Sequence, residues 1–308
     1  MKKKVKNIAA SARARLLERA RSEGRPFNEI LQYYAMERFL FRLSRTEHAG
    51  RFVLKGGLML PLWGGPVARA TRDIDLLGRD KRSVADLVGV MRECVLAKVP
   101  DDGLVFDPKD VVGEEIRLAA RYDGVRVRCG GHLATARILI QIDVGFGDVV
   151  TPAAQTTTYS SLLDFEAPRL LATTPETAIA EKLEAIVVLD MANTRMKDFL
   201  DIWVLSEGRA FDGALLARAF DATFRRRRTP LPVVKPTALT SAFAASTAKQ
   251  KQWRAYLTKG RIQGQVPNLE SVVSRIASFA MPAMDALASG AQYSATWPPG
   301  GPWRREET

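Results

Sequence analysis

The feature that most constrains this chain is a short apolar strand that carries two carboxylates, RDIDLLG at residues 72–78. Side chains at i and i+2 of a strand point to the same face, so Asp73 and Asp75 project together. Their neighbours Ile74 and Leu76 then enter a hydrophobic core. Two carboxylates held this close repel each other unless a cation lies between them. A divalent ion such as Mg²⁺ is one solution; a pair of solvated charges on an edge strand is the other.

A glycine pair and a second acidic strand extend this candidate site. Gly56 and Gly57 follow the apolar segment RFVLK and precede a predicted helix. A phosphate could approach the backbone there, although a simple tight turn explains the pair equally well. In RILIQIDV, apolar residues alternate on one face, which leaves Asp143 on the other as a third carboxylate. Three carboxylates on adjacent strands beside a glycine turn could hold two metal ions for in-line attack on a nucleotide phosphate.

Charge and the scarcity of histidine limit the chemistry and the partners. The 308 residues carry a formal net charge of +12, which favours polyanionic partners such as nucleic acid. Lysine and arginine crowd the first 25 residues, and Arg225–Arg228 form a second basic run; both are expected to face an RNA backbone. With two histidines and two cysteines, neither a zinc site nor a Ser–His pair is expected. Metal or acid–base chemistry therefore falls to carboxylates and lysines.

The order of predicted elements indicates an α+β protein, with a mixed β-sheet core flanked by helices. The predicted parts are a basic N-terminal helical segment (1–50), the sheet core (51–167), a helical domain (168–290) and an irregular tail (291–308). The Gly130–Gly131 pair and the polar segment after it predict a turn between two strands of the core. No apolar stretch is long enough to cross a membrane and no secretory signal is recognisable. Together with two thiols that form no disulfide framework, this predicts a cytoplasmic protein.

Two predicted helices after the core carry polar residues within apolar stripes. Lys182 lies at the edge of the stripe in AEKLEAI, so its amine either contacts nucleotide phosphates or extends to solvent. Asp198 shares the apolar face of RMKDFLDIW and needs a partner there; it could position Lys182 or the acceptor hydroxyl. Asp201 flanks that face. A functional role is one interpretation of this residue, and a purely structural ion pair or helix cap is the alternative. Further candidate phosphate contacts are Lys55, Arg72, Arg195 and Lys197.

These motifs, in this order, resemble the AbiEii-type toxin nucleotidyltransferases, which belong to the polymerase β-like nucleotidyltransferase superfamily. The resemblance rests on ERFLFRLSR, RFVLKGG, the DID strand, the later strand acid, AEKLEAI and RMKDFLDIW, and covers roughly residues 5 to 210. Many members have a small hydroxyl residue directly after the glycines, where this chain has Leu58. The resemblance therefore implies backbone donors for a triphosphate at this turn, without side-chain help from that position.

We expect transfer of a nucleoside monophosphate from an NTP to a hydroxyl, with release of pyrophosphate. Asp73 and Asp75 would ligate the metals, two Mg²⁺ ions. Asp143 would complete the second metal site and help to deprotonate the acceptor, and Lys182 with the glycine pair would hold the triphosphate. Catalysis of this kind is mostly positioning and charge neutralisation.

The acceptor is not determined by these residues. The resemblance implies the 3′ end of tRNA, whose modification blocks aminoacylation and growth, and a cognate antitoxin as partner. A small antibiotic, a protein acceptor and a non-catalytic nucleic-acid-binding role are the alternatives. The positive charge disfavours a cationic antibiotic, and clustered carboxylates give pure RNA binding no advantage.

Overall fold

The structure of this chain, a computed structural model, describes residues 7–64, 69–118, 122–260, 262 and 264–305. The lysines of the predicted N-terminal basic arm at positions 2, 3, 4 and 6 lie outside the described residues. In the described part, the α-helices are α1 (Ile8–Ser22), α2 (Phe27–Ser44), α3 (Leu60–Trp63), α4 (Val84–Leu96), α5 (Pro175–Leu189), α6 (Met196–Gly208), α7 (Gly213–Arg226), α8 (Ser241–Ala245), α9 (Thr247–Gly260) and α10 (Leu269–Ala288).

The strands of the described part belong to two sheets. They are β1 (Phe52–Lys55), β2 (Asp73–Gly78), β3 (Leu104–Leu118), β4 (Tyr122–Leu133), β5 (Ala136–Phe146), β6 (Gln155–Thr158), β7 (Arg169–Ala172), β8 (Phe211–Asp212), β9 (Ala295–Trp297) and β10 (Arg304–Arg305). The larger sheet is mixed, with the order β3-β4-β5-β2-β1-β7-β6, and the smaller one has the order β10-β9-β8. The predicted α+β fold, a mixed sheet flanked by helices, is confirmed.

The chain divides into two compact units, each described here by itself. The first takes its described residues from Met1–Leu58, Thr71–Gly147 and Gln155–Ala172, and the second from Met59–Ala70, Asp148–Ala154 and Thr173–Thr308. The whole seven-stranded sheet lies in the first unit, while α3 and the helices from α5 onward lie in the second. The domain boundaries predicted from the sequence, after residues 50, 167 and 290, stay predictions.

In the first unit, a helix covers one face of the sheet and the acidic residues point to the other. A Cβ on Gly113 of β3 would lie 2.7 Å from a side-chain atom of Val88 and 2.9 Å from one of Val84, both in α4. Gly113 pairs with Val127, and Val127 pairs with Ile142. Directly paired residues share a face of the sheet. The aspartate that follows in β5 therefore points away from α4.

Two arginines fix α2 within the first unit. Arg42 donates to both carboxylate oxygens of Asp102, at 2.7 and 3.0 Å, and to the carbonyl oxygen of Leu104 at 2.9 Å. Arg38 donates to the carbonyl oxygen of Glu166 at 2.6 Å and forms a 2.8 Å ion pair with Glu37. Because both arginines are buried, ERFLFRLSR has a structural function: its cations attach α2 to the start of β3 and satisfy a neighbouring buried acid.

The second unit is built mainly from helices that share one core. Helix α5 begins with two local signals: the Thr174 side chain accepts a hydrogen bond from the backbone N–H of Thr177, and Pro175 occupies the first turn. Apolar residues of α5, α6, α7 and α10 pack into the same buried cluster. Burial of this shared face, rather than intrinsic helix propensity, stabilises helices of this length.

The prediction that residues 291–308 form an irregular tail is wrong for the strands β9 and β10. Trp297 of β9 is 1% exposed, and its indole N–H donates to the carbonyl oxygen of Ser206 at 2.8 Å. Its ring packs edge-on against Phe279, with centroids 5.0 Å apart. Glycine and proline predict loops in this segment, but its tryptophans bury enough apolar surface to hold it against the helical core.

The predicted turn between β4 and β5 lies in the segment that follows the glycine pair, but the prediction is wrong for Gly130 and Gly131 themselves, because both lie within β4. A Cβ on Gly130 would lie 2.7 Å from the side chain of Asp110, and one on Gly131 would lie 2.6 Å from the carbonyl oxygen of Val105. The glycines thus permit a close approach of β3 across the ladder. The chain turns just after β4, where Ala134 has a positive φ of 51°.

Both cysteines are buried free thiols. Burial raises the pKa of Cys94 and of Cys129 to about 12, so neither forms a thiolate readily. Among the described residues, no helix combines the length and the apolar character needed to cross a membrane.

Candidate active site

The structure brings the three predicted carboxylates together at the centre of the large sheet. Strand β2 pairs in parallel with β5, with Asp75 opposite Asp143 and Asp73 opposite Gln141. Each of the three aspartates offers a carboxylate oxygen, and these oxygens all lie within 4.8 Å of one another. Residues distant in sequence thus converge because the strand period of two and the β2–β5 register act together.

The glycine turn lies directly against this acidic group. Gly56 follows β1, which is antiparallel to β2, and has a positive φ of 74°. A Cβ on Gly56 would lie 1.9 Å from Oδ2 of Asp75, so only glycine fits. Gly57 and Leu58 are buried, and Leu58 is 1% exposed. Leu58 therefore belongs to the core of this chain.

Neighbouring donors hold two of the aspartates. Oδ1 of Asp73 accepts a hydrogen bond from the Thr71 hydroxyl at 3.0 Å, and the Thr71 backbone N–H donates to the Tyr33 hydroxyl at 2.8 Å. Asp143 accepts from Arg126 through both carboxylate oxygens, each at 2.8 Å. The hydrogen bond to Asp143 raises the pKa of Arg126 above its ordinary value. The guanidinium therefore stays charged.

Arg126 and Thr71 are the site residues that sequence reasoning missed. The alternation in VRVRCGG does place Arg126 and Arg128 on one face of a strand. It gives no indication of which strand lies alongside, and Arg126 meets Asp143 only through the antiparallel β4–β5 register. Thr71 precedes β2, and no sequence pattern marks it as a site residue.

The donor set of this site fits a hard divalent cation. Its oxygens come from three carboxylates close enough to share one ion, and Mg²⁺ prefers such oxygens together with water and phosphate. When bound, the metal would neutralise phosphate charge and make the acceptor hydroxyl easier to deprotonate. Asp73, Asp75 and Asp143 would hold it.

The weaker candidates in the first unit lie beside the acidic strands. Lys55 is half-buried and pairs in register with Asp75 across β1 and β2. Arg72 directly precedes Asp73; its side chain is exposed, and its carbonyl oxygen accepts from Gln32 at 3.3 Å. Lys55 thus has a fixed place next to a candidate ligand, whereas Arg72 presents a solvent-facing charge.

In the second unit, Lys182 is the centre of a buried ionic network rather than a solvated amine. Its ammonium lies 3.2 Å from Oδ1 of Asp198 and 2.6 Å from Oδ2 of Asp201. Arg69 donates to both oxygens of Asp201, at 2.5 and 2.7 Å, and Arg195 lies 2.6 Å from Asp198. Burial would lower the pKa of Lys182, but the two carboxylates outweigh it and raise the pKa. Lys182 is therefore a permanent cation.

This network excludes one sequence-based alternative for Lys182 and one for Asp201, while the contact of Lys182 with phosphate stays a prediction. The side chain of Lys182 is 15% exposed, so it does not extend to solvent, and Asp201 forms an ion pair and no helix cap. Lys197, in contrast, is exposed on the first turn of α6. Arg69 was not anticipated from the sequence, because it lies in the connection before β2 without any periodic pattern.

The basic run Arg225–Arg228 does not act as one surface. Arg227 is largely buried, lies 3.0 Å from Glu184 and 3.2 Å from Asp148, and has Glu181 at 3.7 Å. The expectation that the whole run faces an RNA backbone is therefore wrong at this position. Its neighbours Arg225, Arg226 and Arg228 are exposed.

Comparison with known proteins gives a family match and two structural likenesses. The crystal structure of JHP933 from Helicobacter pylori is similar over 85% of this chain and 94% of that chain, with 13% identity and a TM-score of 0.48. A crystal structure of a candidate nucleotidyltransferase from H. pylori covers 86% of this chain and 98% of its own, with 13% identity and a TM-score of 0.44. No curated protein matches the chain.

The family match spans the acidic strands and the buried ionic network. The family described as nucleotidyl transferase AbiEii toxin, of type IV toxin–antitoxin systems, matches residues 38–275, well over half of the 308 residues. With that match over the DID strand, the glycine turn and both polar helices, the chain belongs to the AbiEii nucleotidyltransferase toxin family.

Proposed function

We propose that this toxin transfers a nucleoside monophosphate from an NTP to the 3′ end of tRNA in a Mg²⁺-dependent reaction, and so blocks aminoacylation and growth. The observation that carries the proposal is the convergence of Asp73, Asp75 and Asp143 against the Gly56 turn. Clustered carboxylates beside a tight backbone turn are suited to a metal–triphosphate complex. The family supports nucleotidyl transfer by a toxin.

In the proposed reaction, an acceptor hydroxyl oxygen forms a bond to the α-phosphorus of the NTP and the bond to pyrophosphate breaks. Asp73 and Asp75 hold the metal and Asp143 completes the second metal position. The proton of the acceptor hydroxyl passes to Asp143. The backbone at Gly56 and Gly57 receives the triphosphate, because glycine leaves room for close approach of phosphate oxygens.

Lys182 is proposed to contact nucleotide phosphate, with Asp198 as the residue that positions it. Two observations within the second unit support this assignment. The carboxylates of Asp198 and Asp201 keep the ammonium charged, and their short contacts restrict it to one orientation. Lys55, Arg72 and Lys197 are proposed as additional phosphate contacts.

An RNA acceptor is supported by the net charge of +12. A surplus of cations attracts a polyphosphate chain and gives binding that weakens steeply with salt. The family belongs to toxin–antitoxin systems, so we propose a cognate antitoxin as a cellular partner and the cytoplasm as the place of action. Arg225, in the last turn of α7, and Arg228, two residues after the helix, are exposed and are proposed RNA backbone contacts.

The test is incubation of the full chain with each labelled NTP in turn, Mg²⁺ and total tRNA. Label on tRNA that disappears with a chelator supports the proposal. Label on protein would indicate that the acceptor is a protein and not RNA. Retention of tRNA without label from any of the nucleotides would favour a non-catalytic RNA-binding role and contradict the proposed reaction.

A further inference from the structure

The carboxylate of Asp143 is already occupied by a cation of the chain itself. Arg126 Nε lies 2.8 Å from Oδ1 and Arg126 Nη2 lies 2.8 Å from Oδ2 of Asp143. The two residues are direct partners in the β4–β5 ladder. Gln141 donates a third, longer hydrogen bond of 3.3 Å to Oδ2. Each oxygen that could bind a metal thus has a donor aimed at it.

This occupancy matters because the two kinds of contact are mutually exclusive at a given lone pair. A bidentate guanidinium–carboxylate pair uses one in-plane position on each oxygen, on the edge of the carboxylate that faces the arginine. A divalent cation that binds at the same edge needs one of these positions. The Asp143 side chain is 5% exposed, so it has little freedom to turn another edge toward an ion. The guanidinium must yield instead.

Arg126 is able to yield. Its side chain is 29% exposed, so it can swing toward solvent while Asp143 stays in place. Asp73, by comparison, accepts from the neutral Thr71 hydroxyl, which can remain bonded beside a metal. At Asp143, in contrast, a metal ion would take the place of the guanidinium of Arg126, so one positive charge would replace another.

We propose that Arg126 is the resident counter-ion of Asp143, which a divalent cation must displace, and that it thereby sets the metal concentration at which the site fills. The inference rests on the proposed function, in which Asp143 is a metal ligand. It adds a residue outside the acidic group that weakens metal binding in the absence of nucleotide. Removing its charge should therefore strengthen that binding.

The experiment is a direct titration of the full chain with Mn²⁺ and no nucleotide, followed by the electron paramagnetic resonance of free Mn²⁺. The variants are Arg126→Gln, Asp143→Asn and, as matched control, Arg128→Gln. Arg128 lies two positions along the same strand and pairs with Glu114. We expect Arg126→Gln to bind Mn²⁺ about tenfold more tightly, the scale of one charge-assisted hydrogen bond. Arg128→Gln should bind like the wild type.

The direction of the change decides the interpretation. If Arg126 only holds Asp143 in place, Arg126→Gln will bind Mn²⁺ more weakly, which overturns the proposal, as does an unchanged affinity. Arg126→Lys, which keeps a charge but loses the bidentate geometry, should fall between wild type and Arg126→Gln. This milder variant provides the same comparison if Arg126→Gln does not give the wild-type circular dichroism spectrum.

Asp143→Asn separates failure of this inference from failure of the proposed function. Weakened Mn²⁺ binding by Asp143→Asn, together with no gain in Arg126→Gln, leaves the metal site in place and removes only the counter-ion role. Wild-type Mn²⁺ binding by Asp143→Asn would show that this carboxylate is no ligand. Both the inference and the assigned metal site would then fall.

Discussion

The backbone of Gly56 lies against the carboxylate of Asp75 so closely that a Cβ on the glycine would lie 1.9 Å from Oδ2. The turn after β1 and the acidic strand β2 therefore pack directly against each other. The acid cannot move toward the turn and the turn cannot accept a side chain. In the proposed reaction, this contact places the triphosphate backbone site next to a metal ligand.

Replacement of the turn glycine should damage both stability and activity. Gly56→Ala puts a side chain at a φ of 74°, which costs about 1–3 kcal/mol, and pushes Asp75 out of place. Displacement of a catalytic group by about 1 Å costs about a hundredfold in kcat. Thermal unfolding and labelled-NTP transfer measure the two effects.

Gly50→Ala is the control for this prediction. A Cβ on Gly50 would meet no heavy atom within 4 Å. The control should keep wild-type stability and transfer, and equal behaviour of the two variants would contradict the argument from close approach.

Loss of either acid of β2 should remove transfer and spare the fold. Asp73→Asn and Asp75→Asn keep the shape of the side chain but lose the charge that a metal requires. We expect transfer to fall by about a hundredfold or more. The circular dichroism spectrum should not change, because both side chains are only partly buried.

The exposed Asp80, just after the same strand, provides the matched control. Asp80→Asn should transfer nucleotide like the wild type. Normal incorporation of labelled NTP by Asp73→Asn or Asp75→Asn would refute the site.

Arg227 should contribute to stability and Arg225 should not. Truncation of Arg227→Ala leaves Asp148, Glu181 and Glu184 close together without their common cation. Breaking such a buried network costs about 3–5 kcal/mol. Arg225 is 81% exposed and pairs with Asp221, so Arg225→Ala should change stability by less than about 0.5 kcal/mol. Urea unfolding measures both, and similar losses would contradict the different assignments within the basic run.

The ionic network of the second unit should resist moderate acid. Burial acts to raise the pKa of Asp201, but Arg69 and Lys182 outweigh it and the pKa lies below its ordinary 3.8. A carboxylate with a lowered pKa in the folded state stabilises the protein above its unfolded pKa. That contribution begins to decrease when the pH drops below the unfolded pKa, and it is lost once the pH has fallen through the folded pKa.

The measurement compares unfolding free energies of wild type and Asp201→Asn at about pH 7, 5 and 3. The difference should be the same at the first two values and begin to shrink at the third. Asp221→Asn, at the partly exposed surface pair, should match the wild type throughout. A difference between wild type and Asp201→Asn that already shrinks between the first two values would contradict the lowered pKa.

The grouping of the three carboxylates was predictable, because the alternation of residues along a strand determines which side chains share a face. The period of two in β2 and β5 is enough to place Asp73, Asp75 and Asp143 on the faces of their strands opposite the buried apolar residues. The buried alternation of Ile140 and Ile142 in β5 is confirmed. The start of α5 was predictable for a similarly local reason, since a threonine cap and a proline in the first turn are short-range signals.

What escaped prediction depends on contacts between segments distant in the sequence. The position of Arg126 opposite Asp143 is a property of strand register, which periodicity does not contain. Arg227 appears identical to its three arginine neighbours in the sequence, and only the packing of α7 against α5 buries it among acids. The glycines of β4 serve a close approach of another strand, which no local pattern distinguishes from a turn.

The parallel pairing of β2 with β5 has a consequence during synthesis. Asp73 and Asp75 emerge from the ribosome well before Asp143, and α4, β3 and β4 must be made in between. The third acid reaches its companions only when β5 docks beside β2 in the correct alignment. We therefore expect the nascent toxin to lack its complete acidic site until β5 has docked beside β2.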